Sequence, residues 1–180
     1  MNRQVPEQAQ RDEGPESTDS GPLARVRAAA SARSLGIEVR ERPDAHSLTE
    51  AAALLGIRPA DIVKSLVVKR HDGDFLFALI PGDRAISWPK LRAIVGVNKL
   101  RMPEPEVALE ATGYARGTIT PIGSIHDWPV YADTDIVGRR VSMGAGARGY
   151  SLFVDADQLI AAYDATVADI SQPLPDAGPR

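Results

Sequence analysis

Residues 62–80 read IVKSLVVKRHDGDFLFALI, and the fold turns on this stretch. Two runs rich in β-branched and aromatic residues, 62–70 and 75–80, flank His71-Asp72-Gly73-Asp74. An Asp-Gly pair between two such runs is a hairpin signal, so the stretch is expected to form two antiparallel strands. Strand periodicity puts Ile62, Lys64, Leu66 and Val68 on one face. A lysine within an apolar face either snorkels its ammonium to water or holds a cleft position. In a water-poor cleft it is a strong donor toward negative charge developing on a carbonyl oxygen.

Upstream of the hairpin, residues 23–35 are rich in Ala and Arg and stop at Gly36, as a helix does. Residues 37–42 (IEVRER) alternate like a half-buried strand. Ser47-Leu-Thr-Glu50 has the capping-box spacing and predicts a short helix through Leu55, closed by Gly56. Downstream, Pro89 suits the first turn of a helix ending near Gly96. Residues 103–112 (PEPEVALEAT) predict another, stopped by Gly113. Strands are expected at 116–119, 129–133, 139–143 and 150–154, with a last helix over 156–163 capped by Asp155. Hairpins mixed with short helices indicate an α/β chain of the α+β type, with a mixed, mostly antiparallel sheet and short helices around it. Residues 1–22, with five acids, two bases and three prolines, lack hydrophobic periodicity and read as a disordered acidic tail. The last ten, SQPLPDAGPR (171–180), read the same way, leaving one folded domain over 23–170.

A chain of 180 residues suits one domain. There is no cysteine, which excludes disulfides, thiolate catalysis, Cys-based zinc and iron–sulfur sites. No apolar run approaches the roughly 18 residues of a membrane span. The first ten residues, MNRQVPEQAQ, have no hydrophobic stretch of the secretory kind, so the expected location is the cytoplasm. His46, His71 and His126 lie too far apart for helical metal-ligand spacing, and neither a metal nor another cofactor is expected. Neither a P-loop nor a G-x-S-x-G elbow occurs. The net charge of −3 argues against a generally basic nucleic-acid binder. Residues 84–101, however, hold five bases and no acid, among them Lys90, Arg92, Lys99 and Arg101. Such a stripe is either a phosphate contact or a solvated helix face.

Two glycine-bearing islands complete the motifs. Gly144-Ala-Gly146-Ala-Arg-Gly149 satisfies the dinucleotide pattern literally, but it runs into YSLFV, a strand-like segment, where that motif needs a helix. Its glycines either let backbone N–H groups approach a ligand or simply connect strands. In TGYARGTITPIG (112–123), Thr120-Pro121-Ile122-Gly123 predicts a stiff turn that leaves main-chain groups free of any ladder.

Four segments occur in one order: 50–57 (EAAALLGI), 61–68 (DIVKSLVV), 112–123 and 141–149 (VSMGAGARG). Together they resemble the YbaK-type aminoacyl-tRNA deacylases, free-standing relatives of the prolyl-tRNA synthetase editing domain, over about residues 23–165. The resemblance implies a barrel-like mixed sheet and hydrolysis of the ester joining a wrong, small amino acid to tRNA. It places the family's important lysine on Lys64. The loop glycine whose backbone positions the carbonyl or the attacking water falls on Gly117. The residue lining the pocket from the last loop falls on Ser142 or Gly144, with Gly146 nearby. Thr120 and Pro121 belong to the implied pocket. The tyrosine some members carry before the first pocket helix is missing, and His46 or Ser47 stands in its place. Mischarged aminoacyl-tRNA is the implied partner, with an aminoacyl-tRNA synthetase as a further one. Two rival readings share the fold: a binding module without turnover, and a synthetase-docking domain with the acidic tail as its handle.

Overall fold

The computed structural model describes residues 21–175. Most of the expected tail, residues 1–20 and 176–180, therefore lies outside the described residues. The central hairpin forms as expected: β2 (Val63–Arg70) pairs antiparallel with β3 (Phe75–Pro81) from Val63↔Pro81 to Lys69↔Phe75. Its turn is closed by Arg70 N–H donating to Asp74 O at 2.8 Å, with Gly73 at φ 95°.

β3 is the middle of a five-stranded sheet whose order is β5-β2-β3-β6-β9, with β5 Leu100–Arg101, β6 Val130–Asp133 and β9 Thr166–Ala168. β6 runs parallel to both β3 and β9, so the sheet is mixed. Being covered on both faces explains why β3 reads as an unbroken apolar run. Phe77 and Leu79 join one core, with Val63, Val67, Val130, Val141 and Leu152; Leu76 and Ile80 join the other, with Val68, Leu91 and Ile170. Each such side chain, fully buried, contributes about 1.5–3 kcal/mol.

A second, antiparallel sheet has the order β1-β8-β7, from Ile37–Glu41, Tyr150–Asp155 and Arg140–Gly144. A parallel bridge between Ile62 and Ser142 joins the two sheets. Among the described residues, no strand pairing closes them into a barrel. A third pair joins β4 (Arg84–Ile86) to β10 (Ser171–Pro173). Ser171–Pro173, expected in the terminal tail, is thus strand, and Pro22, also assigned to a tail, opens α1 (Pro22–Ala32).

The short helices surround these sheets. α2 (Leu48–Leu55) is capped by the Ser47 hydroxyl, which accepts from Glu50 N–H at 3.1 Å, and ends on Gly56 at φ 68°. α3 (Trp88–Val95) and α4 (Pro105–Thr112) end on left-handed Gly96 and Gly113; α5 (Ala156–Ala162) starts under the Asp155 carboxylate. The strand expected at 116–119 is absent. Gly117 takes φ 87°, and Thr118 donates to Ala115 O through both its N–H and its hydroxyl, so the segment closes a turn instead of entering a ladder.

Candidate active site

A cavity of about 650 Å³ opens along the edge of β2. Residues 62–67 form one wall, and Ser47, Leu48, Ala51 and Leu55 from the start and face of α2 form another. The segment Met102–Pro105 also lines it, as do the turn around Arg116 and Gly117 and Ser142, Met143 and Gly144 of β7.

The sheet architecture explains why there is a cavity here. β2 keeps β3 along its full length, but on its other edge β5 pairs only with Lys69 and Arg70, and the bridge to β7 is at Ile62, just before the strand. Between those two pairings no strand among the described residues pairs with this edge.

Lys64 lines this cavity and is half-buried. Its ammonium donates to the main-chain carbonyl of Arg84 on β4, which spends one of three donors and leaves two. Burial pushes its pKa below the ordinary lysine range, and the Asp83 carboxylate offsets part of that shift. Arg84 is itself held: its Nε donates to Ser171 Oγ at 2.6 Å and lies 3.2 Å from the Asp135 carboxylate. The C-terminal strand thereby steadies the carbonyl to which Lys64 is anchored.

Gly117 lines the cavity with open space where a Cβ would sit. Its turn is fixed by the neighbouring glycine loop: Gly146 N–H donates to Thr118 O at 2.9 Å, and a Cβ on Gly144 would come within 2.6 Å of the Thr118 and Ile119 backbones. Glycine at 144 therefore lets two main chains touch, which brings the two islands together at one wall.

The structure brings Lys64, Gly117, Ser47, Ser142 and Gly144 to one cavity, so both alternatives for the last loop line it. Ser47 is at the same time the cap of α2. The other candidate residues lie elsewhere. His46 is exposed outside the lining, its N–H donating to Glu50. Thr120 is buried, with its hydroxyl accepting from Ile122 N–H and directed at Met143 Sδ, and Pro121 is buried beside it. Gly146 packs where a Cβ would meet the Tyr114 ring at 2.8 Å. These last three shape the loops rather than line the cavity. G-x-G-x-x-G is a β7–β8 connection, with strand on both sides.

In the basic stripe, Lys90 is taken up by Asp169, at 2.7 and 2.8 Å, and by Ser171 O. Lys99 and Arg101 are exposed and Arg92 half-buried. Arg101 immediately precedes the lining segment that starts at Met102.

Sequence reasoning missed Arg42, Arg116, Ser65 and Glu104, all of which line the cavity. Arg42 is oriented by Ser151, donating from Nε to Oγ at 2.9 Å. Arg116 lies inside the 112–123 island and Ser65 beside Lys64, so adjacency to the motifs was the available signal. With Lys64, the two arginines give the cavity three cations against one carboxylate, a charge balance suited to a phosphate-bearing substrate. Among the described residues, no three or more His, Asp or Glu gather where they could hold a metal ion.

The profile of the aminoacyl-tRNA editing domain matches residues 42–162, and the chain belongs to that family. The proline–tRNA ligase of Heliobacterium modesticaldum is 33% identical over 149 residues, covering 80% of this chain and 26% of the ligase. That of Sulfurihydrogenibium sp. is 31% identical over 144 residues, covering 77% of this chain and 25% of the ligase. The chain thus spans about a quarter of the length of these relatives. Among solved structures, a candidate trans-editing enzyme for prolyl tRNA synthetase superposes with a TM-score of 0.78 at 31% identity, covering 85% of this chain and 98% of that one. The family and the mixed fold implied by the sequence resemblance are therefore established.

Proposed function

We propose that this chain is a trans-editing hydrolase that cleaves the ester of a mischarged aminoacyl-tRNA carrying a small amino acid. The observation that carries the reading is the half-buried Lys64 lining the same cavity as Gly117, Ser142 and Gly144. An aminoacyl ester is already activated, so its hydrolysis needs a positioned water and stabilisation of the oxyanion. The two donors left on the Lys64 ammonium serve the carbonyl or ester oxygens, and the main chain at Gly117 orients the water. Water adds to the carbonyl carbon, the bond to the ribose oxygen breaks, and that oxygen takes up a proton. The neighbouring ribose hydroxyl of the terminal adenosine relays the proton. The chemistry asks for no thiol, metal or cofactor. Arg92, Lys99 and Arg101 are the proposed tRNA contacts, and the cytoplasm, where charged tRNA is found, is the proposed location.

The test is deacylation of a panel of mischarged tRNAs, carrying Ala, Cys, Ser or Thr, by the wild-type chain and Lys64→Ala. Selective hydrolysis that disappears in the variant supports the reading and identifies the amino acid. An undiminished rate in folded Lys64→Ala would overturn the role of the lysine. Binding of charged tRNA without hydrolysis of any member would leave the non-catalytic module in its place.

A further inference from the structure

We propose that the uncovered edge of β2 reads the amino-acid part of the substrate by its main chain, with Ser65 and Val67 supplying the hydrogen-bonding groups. The inference rests on the editing function above and deepens it.

The direction of each peptide group follows from two hydrogen bonds. Gly82 N–H donates to Ile62 O at 2.7 Å, and Arg70 N–H donates to Asp74 O at 2.8 Å. Both even-numbered residues, one just before β2 and one at its far end, therefore face β3. Peptide groups alternate along an antiparallel strand, so the odd-numbered residues face away from β3. The pairings on the outer edge fit this assignment: Lys69 meets Arg101 of β5, and Val63 follows the Ile62–Ser142 bridge. That leaves Ser65 and Val67 presenting their N–H and C=O groups to the cavity, about 7 Å apart at the usual strand rise.

A third polar group lies at the same place. Ser65 Oγ is buried and has no hydrogen-bond partner among the described residues of the protein, although Ser65 lines the cavity. Buried polar groups are ordinarily paired, and an orphan hydroxyl beside two outward peptide groups marks a place prepared for a polar occupant. The uncovered stretch is bounded by β5 and β7 and offers only two outward residues, too few for a peptide strand. A single amino acid fits it. The α-ammonium donates to the strand carbonyls and to Ser65 Oγ, and the acyl oxygen accepts from a strand N–H. Recognition of this kind ignores the amino-acid side chain and requires the amine.

Two non-hydrolysable probes test this: 3′-(L-alanylamino)-3′-deoxyadenosine and its 3′-propionylamino counterpart, which lacks only the amine. Calorimetric titration of the wild-type chain should show the alanylamino probe binding about tenfold or more tightly, the effect of a hydrogen bond to a charged group. Ser65→Ala should narrow that gap by loosening the alanylamino probe alone. Equal affinities, absence of binding by both, or an unchanged gap in Ser65→Ala would each overturn the assignment. Deacylation of mischarged tRNA reports separately on the underlying function. Turnover without amine preference sinks this inference alone, whereas amine preference without turnover sinks the hydrolase reading alone.

Discussion

The guanidinium of Arg25, on α1, lies over the ring of Tyr114, its central carbon 4.6 Å from the ring centroid. From that position it donates to Gly113 O at 2.8 Å and to Gly123 O at 2.7 Å, while the Tyr114 hydroxyl donates to Ile122 O at 2.8 Å. One side chain thus ties both ends of the segment that carries Gly117. Arg25→Ala should cost about 2–3 kcal/mol, because it leaves two carbonyls without charged donors and removes the stacking. It should also lower kcat by letting the Gly117 turn move. Arg25→Lys should restore part of the stability but little of kcat, since an ammonium cannot reproduce the fork. Unfolding midpoints and single-turnover rates of both variants check this, and a wild-type kcat in the lysine variant would count against it.

Lys64 should give the proposed activity a defined pH dependence. Burial lowers its pKa, so it loses its proton at a lower pH than in the unfolded chain. In the window between those two values the unfolded chain holds more protons, and Lys64 makes stability rise with pH there. Activity runs the opposite way, because only the ammonium can stabilise an oxyanion. The rate, corrected for spontaneous ester hydrolysis, should fall through the lowered pKa, before the ordinary lysine range of about 10.4 is reached. Asp83→Asn removes the carboxylate that supports the charged form and should move this falling limb to lower pH. Lys64→Ala should lower kcat by about a hundredfold or more and abolish the limb. A limb at the same pH in Asp83→Asn would remove Asp83 from the account.

Elements with a period and a stop were legible in the sequence. The β2–β3 hairpin announced itself by two apolar runs around Asp72-Gly73, and α2 to α5 by caps at Ser47, Gly96, Gly113 and Asp155. Strands β4, β5, β9 and β10 have two or three residues each, too few to show a period, and exist because neighbours pair with them. Part of the cavity lining was equally readable: Lys64 stood out as a cation within an apolar strand, and Gly117 and Gly144 within their islands. Thr120, Pro121 and Gly146 carried the same local signal but turned inward. Their direction is set by contacts distant in sequence, such as the Tyr114 ring against Gly146. The Arg25 clamp spans 88 and 98 residues, which no local pattern can report.

The glycines of the two islands should separate by substitution. Gly117 needs its positive φ but has open space around its Cα, so Gly117→Ala should fold with a loss of about 1 kcal/mol. Its effect should fall on kcat, because the strained turn shifts the main chain proposed to orient water. Gly144→Ala meets main-chain atoms at 2.6 Å, which cannot yield as a flexible side chain would, and should destabilise the fold severely. Thermal unfolding and kcat, measured together, distinguish the two outcomes. A Gly117→Ala enzyme with wild-type kcat would exclude that backbone from the mechanism.

Contact with tRNA should appear in the salt dependence of binding. Each cation that neutralises a phosphate adds about 0.7 to the slope of log affinity against log salt for a single strand, and about 0.9 for a duplex. Lys99 and Arg101 are exposed, with Arg101 next to the cavity wall. Lys99→Ala and Arg101→Ala should each reduce the slope by nearly one. Lys90 is expected to behave differently, because its ammonium is already engaged by Asp169 and Ser171 O. Lys90→Ala should leave the slope in place and lower stability by less than about 1 kcal/mol, as the loss of an exposed ion pair does. Filter binding of charged tRNA across a salt series checks all three variants. Unchanged slopes in Lys99→Ala and Arg101→Ala would remove both from the proposed contact and move the search for tRNA contacts to Arg92 and to Arg42 and Arg116 at the cavity.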